Sequence, residues 1–281
     1  MKKHVSMRLT RSAKTILALA LATMCMQASA HRAWLKPAAS HVEGANPTVT
    51  IDAAVSDNLF DIDHVPLKLD GLAIIAPDGA SVATPPVLAG RQRNSFDLPM
   101  AQSGTYKLSL VSASIMASYK DAASGETRRF RGSQDAFAKE VPAGAAELKT
   151  TAMHSRIETF VTANKPNSGA LKASGVGLEM VPLTDPTGLR SGETARWRFQ
   201  LDGKPLADFP FSLIPGGVRY RGIINELRLS TDAKGEASVT LPAAGMYWLN
   251  AGFPLVLDAG ANAPAPARRF SYAATLEVLP D

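Results

Sequence analysis

Cysteine is almost absent. The 281 residues hold one, Cys25, so neither a disulfide framework nor a paired-thiolate metal site is available. Aromatic residues are scarce too, at 6% with three Trp, which argues against a broad flat aromatic face for gripping a polymer. Long apolar runs are missing: the longest, Ile16 to Met26, falls short of the roughly 20 residues a membrane-crossing helix needs. Catalytic signatures are missing as well. There is no G-x-S-x-G elbow, no phosphate-binding glycine loop, no HExxH, HxH or CxxC. Acidic side chains are scattered, so no carboxylate pair can be assigned to acid–base work. The reading is that of a non-catalytic protein.

One further absence is local. The first 30 residues contain no acidic side chain but carry Lys2, Lys3, Arg8, Arg11 and Lys14. The apolar run and Ala28-Ser29-Ala30 follow, giving the charged, apolar and small-residue regions of a cleavable export signal. Met24 is too bulky for the residue that precedes a lipidated cysteine. Cleavage after Ala30 would remove Cys25 and the five basic residues. The 30 basic residues would fall to 25, against 25 acidic. The whole net charge of +5, and the basic pI near 9.3, then belong to the discarded segment. A nucleic-acid partner is excluded on this reading, and the address is the periplasm. No transmembrane segment is expected in the mature chain.

Period-2 patterning fills the rest. Val49, Ile51, Ala53 and Val55 alternate with polar residues, as do Tyr106, Leu108 and Leu110, then Trp197, Phe199 and Leu201, then Leu227 and Leu229. Each run presents one apolar face. Turn residues interrupt them at short intervals, as in Ala76-Pro77-Asp78-Gly79 and Asp232-Ala233-Lys234-Gly235. The expected fold is all-β: two immunoglobulin-like or transthyretin-like sandwiches in tandem. Boundaries follow from the polar stretch Ala163 to Gly177: signal 1–30, first sandwich 31–165, linker 166–175, second sandwich 176–281. Residues 112–155 pattern poorly and carry a short helix near Gln134–Val141. A weak repeat supports duplication, since LPMAQSGTY (98–106) and LPAAGMY (241–247) share a Pro, a Gly turn and a Tyr. Asp258 to Ala267 reads as a mobile loop. Arg128-Arg129-Phe130-Arg131 reads as a solvated strand.

The residue exposed by cleavage is His31. A terminal histidine offers its α-amine and its imidazole Nδ1 to one metal ion, and the amine is available near neutral pH. Another imidazole would extend a nitrogen set suited to copper, nickel or cobalt. His64, in Asp61-Ile62-Asp63-His64, is the leading second ligand. Asp63 is its companion carboxylate; His41, His154 and Asp61 are further candidates.

Several segments together resemble a family. They are His31-Arg32-Ala33-Trp34-Leu35-Lys36-Pro37, Asp61-Ile62-Asp63-His64-Val65-Pro66-Leu67, Leu178–Leu183 with Asp185-Pro186, Leu201-Asp202-Gly203-Lys204-Pro205-Leu206 and Thr231-Asp232-Ala233-Lys234-Gly235. The pattern is similar to domain-of-unknown-function family 4198, described as periplasmic components of cobalt or nickel uptake systems. The second half also resembles the carboxypeptidase-regulatory type of sandwich. The resemblance implies a metal-binding or metal-delivery accessory protein (nickel, cobalt, copper or iron), with an inner-membrane transporter or outer-membrane receptor as partner. Two other readings stay open: a sandwich module that docks a transporter without metal, and an N-terminal-histidine copper oxidase or oxygenase.

Overall fold

The alternating runs become strands of three sheets. The computed structural model describes residues 31–254 and 267–281. The expected export signal with Cys25, and all but the last residue of the expected 258–267 loop, lie outside them. Sheet A orders β1 (Arg32–Pro37), β3 (Thr48–Ser56), β8 (Asn94–Pro99) and β7 (Leu88–Ala89), with β4 (Val65–Pro66) also on β3. Sheet C comprises β12 (Leu178–Pro182), β13 (Thr194–Leu201), β14 (Lys204–Pro205) and β17 (Glu236–Thr240).

Sheet B has ten strands and joins the two halves. From the first half come β2 (His41–Val42), β5 (Leu72–Ile75), β6 (Ser81–Val82), β9 (Gly104–Lys120), β10 (Thr127–Gly132) and β11 (Ala146–Ala163). From the second come β15 (Pro210–Pro215), β16 (Leu227–Ser230), β18 (Gly245–Phe253) and β19 (Arg268–Val278). The junction is a parallel ladder between β11 and β19, from Ala152↔Arg268 to Thr159↔Thr275.

Two cores flank this sheet. Trp34, Ile51, Phe96, Leu98, Ile74 and Leu108 belong to one. Trp197, Phe199, Phe211, Leu249 and Tyr272 belong to the other. Strand alternation sends neighbours to opposite sides: Leu213, Leu249 and Ala274 enter the second core, whereas Ile214, Trp248 and Ala273 enter the first. The Trp248 indole donates to the Ala33 carbonyl of β1 at 3.0 Å. The all-β class holds. Contacts from Arg32 to Asp281 form one compact unit, with sheet B running through both of the expected halves. The expected 166–175 linker contains a 3₁₀ turn, Gly169–Leu171, with Ala170 buried.

The repeat has a structural meaning. The Tyr106 hydroxyl accepts from the Gln102 amide at 2.9 Å and meets its carbonyl at 3.3 Å. The Tyr247 hydroxyl donates to the Ala243 carbonyl at 2.9 Å. Both tyrosines thus tie their own corner four residues upstream, as in tyrosine corners of sandwich folds. Two residues before each stands a glycine with φ near +140°, Gly104 and Gly245, a conformation that a side chain disfavours. Residues 112–155 depart from expectation by being more regular: β9 and β11 run on through them, β10 pairs with β9, and the helix α1 (Gln134–Glu140) has the Ser133 hydroxyl as its N-cap. Their alternation is weak because much of both faces is exposed. Among the described residues no helix is long and apolar enough to cross a membrane.

A buried polar network crosses the junction. Glu158 on β11 accepts from Tyr272 of β19 and Ser109 of β9, each at 2.8 Å. Glu179 on β12 accepts from Ser174, Gly175 and Gln200. Burial acts to raise the pKa of Glu179, but these hydrogen bonds and the nearby Arg156 charge outweigh it and hold the carboxyl below its ordinary value. Burial, then the Glu158 charge, push the Tyr272 phenol well above its ordinary 10.0. The signs fix a pH profile. The Glu179 contribution is present above the unfolded carboxyl range and fades as pH falls through about 4.5 and below. The Tyr272 contribution is full below about pH 10 and fades above it. Urea midpoints measured from pH 3 to 11 should decline at both ends, and Tyr272→Phe should flatten the alkaline limb.

Candidate metal centre

Strand register brings the metal-binding candidates to one end of sheet A. β1 and β3 pair antiparallel from Arg32↔Ser56, and β4 lies along β3 at Val55↔Val65. His31 immediately precedes β1, Asp57 immediately follows β3, and His64 immediately precedes β4. The central strand therefore delivers a carboxylate between two flanking histidines. One donor atom from each of His31, Asp57 and His64 lies within 4.8 Å of the others. His31 and Asp57 are exposed and His64 is half-buried, so an ion could enter from solvent.

The loop from Asp57 to His64 is held at several points. Leu59 is buried in the first core. Phe60, at φ +67°, packs edge-on to Trp34 with ring centroids 5.7 Å apart. The Trp34 indole donates to the Ser56 hydroxyl at 2.8 Å, pinning the last residue of β3. Arg32 donates to the Asp57 carbonyl at 2.9 Å.

Asp63 supports the loop and lies outside the three-donor cluster. Its two carboxylate oxygens accept from the Asp57 amide, the Asn58 amide and the Asn58 side chain, each at 3.0 Å. Partial burial acts to raise its pKa, yet these donors more than offset that and keep the carboxyl lowered. It is a positioning residue that fixes the backbone carrying Asp57. Asp61 turns toward Arg219, 3.6 Å away. His41 is in β2, its Nε2 2.6 Å from the Asn164 carbonyl. His154 stacks on Phe270 at 4.9 Å. Neither is in the cluster.

Asp57 was not a sequence candidate. Proximity along the chain favoured Asp61 and Asp63, whereas proximity in space depends on the β1–β3 register. The signal for it was available only as the residue ending the Val49–Val55 alternation.

The family model for a domain of unknown function (DUF4198) matches residues 28–254, and the chain belongs to that family. No curated protein matches. Among solved structures, the chain is similar to Escherichia coli alpha-2-macroglobulin activated by porcine elastase, at 11% identity and TM-score 0.23. That match covers 90% of this chain and 20% of the other, so the chain spans about a fifth of its length. The D0-D1 domain of Intimin gives 12% identity and TM-score 0.22, covering 87% and 97%. The human OSCAR ligand-binding domain gives 15% and 0.21, covering 88% and 99%. Overlap at these TM-scores carries no functional information.

Proposed function

We propose that this protein binds a first-row transition-metal ion through His31, Asp57 and His64, and acts as a non-catalytic periplasmic binding or delivery component of a metal-uptake system. The observation that carries the reading is the meeting of those three donors at one sheet end. Two imidazoles and one carboxylate suit nickel, cobalt, copper or iron, whereas calcium and magnesium favour oxygen-only shells. Metal bonds of about 2.0–2.2 Å require these side chains to close slightly around the ion. Cleavage after Ala30 would add the His31 α-amine as a fourth donor. The partner on this reading is an inner-membrane transporter or an outer-membrane receptor.

The test is calorimetric titration of the exported, metal-stripped protein with Ni(II), Co(II), Cu(II) and Fe(II). One equivalent should bind. Substitutions of outer-shell partners typically cost roughly 10–100-fold in metal affinity. Asp63→Ala should fall in that range, and His64→Ala should exceed it. Unchanged affinity in His64→Ala would overturn the site. Mass spectrometry of the exported chain fixes its first residue and decides whether the amine takes part.

A further inference from the structure

A cavity whose lining includes none of the three donors has features of a ligand site. It measures about 740 Å³ and lies between β1, the Phe60 loop and the segments 215–227 and 242–247. That volume falls within the roughly 300–1,000 Å³ typical of small-molecule sites. Phe60, Leu227, Pro242, Met246 and Tyr247 give it an apolar lining. One wall includes the short helix α2 (Val218–Arg221). Tyr220 within this helix, and Ile223 and Ile224 just after it, are 86%, 60% and 45% exposed.

Charge selects the occupant. Two cations line the cavity, Lys36 of β1 and Arg221 of α2. Arg221 is fixed by donating to the Pro215 carbonyl at 2.8 Å and to the Gly216 carbonyl. Those acceptors are neutral, so its charge is not cancelled. Among the described residues, no carboxylate lies within 4.0 Å of either cationic group. The one acidic lining residue, Glu226, is engaged by Arg228 at 2.8 Å. An apolar-lined cavity with two cations outside any ion pair favours a ligand with an apolar body and an anionic head, since charge-assisted contacts to a carboxylate are the stronger hydrogen bonds.

We infer that this cavity binds a small organic carboxylate, its apolar part against Phe60, Met246 and Leu227 and its carboxylate toward Lys36 and Arg221. The inference stands apart from the metal reading. It is tested on metal-free protein with anilinonaphthalene sulfonate, an apolar fluorophore bearing one anionic group, displaced in turn by decanoate, decanol and decylamine. Decanoate should displace the probe at about one-tenth the concentration of decanol, equivalent to about 1.4 kcal/mol. Lys36→Gln should erase most of that advantage, and Ala244→Trp should block the probe while leaving the circular dichroism unchanged. His64→Ala should bind the probe normally, separating this site from the metal centre. Equal displacement by decanol, stronger displacement by decylamine, or a decanoate preference that survives Lys36→Gln would overturn it. Lys36→Gln carries the test if Ala244→Trp fails to fold.

Discussion

Arg156→Ala is expected to lower stability by about 3–5 kcal/mol, the range for breaking a buried ion pair from one side. The guanidinium donates to Ser109, Ser174 and the Val176 carbonyl, and lies 3.3 Å from Glu158 and 3.7 Å from Glu179. All three charged side chains are deeply buried, at 11%, 3% and 4% exposure. Removing the cation leaves two carboxylates in a poorly hydrated space with only neutral donors. Arg156→Lys should recover part of the loss, since a point charge cannot reproduce the fork's five donors. Urea midpoints with an unchanged slope are the measurement. A loss below about 1 kcal/mol would mean the pair behaves like a solvated surface bridge.

Trp34→Ala should cost a similar amount, about 3–5 kcal/mol for a large buried aromatic, and should also weaken metal binding. Trp34 is 1% exposed, holds the end of β3 through Ser56, and braces Phe60 within the loop that carries Asp57 and His64. Its loss frees the donors from their common position. The matched control is Trp197→Ala. Trp197 is fully buried in the second core, whereas the loop's Leu59 and Phe60 belong with the first, so its removal should cost comparable stability while sparing metal affinity. Calorimetric titration of both variants, at a temperature where each remains folded, separates the two effects. Equal metal affinities would show that the loop is set without Trp34.

Local patterning was readable in the sequence wherever one face of a strand is buried and the other wet. The Val49–Val55, Tyr106–Leu110 and Trp197–Leu201 runs fall within β3, β9 and β13, and the helix near Gln134 is α1. Alternation does not say which strands become partners. The β11–β19 ladder links residues more than 110 positions apart, and no local signal announces it. It is also parallel, so no hairpin turn marks it. Strands facing two cores, such as β18 with Trp248 on one side and Leu249 on the other, look nearly continuous in apolar character. The candidate metal centre follows the same division. His31 and His64 were legible by residue type, and His31 also by its place after the expected cut. Asp57 depended on register, and the supporting role of Asp63 on where its carboxylate points.

The shared sheet has a mechanical consequence. Many binding proteins capture cargo by swinging two lobes about a hinge made of a few loop residues. Here the two cores are laminated to opposite faces of the same strands, and the seam between the halves is eight residues of parallel ladder with a buried ionic network across it. Hinging at that seam would tear backbone hydrogen bonds and strand charges together. Any ligand this protein binds would therefore have to enter and leave without the two halves swinging apart.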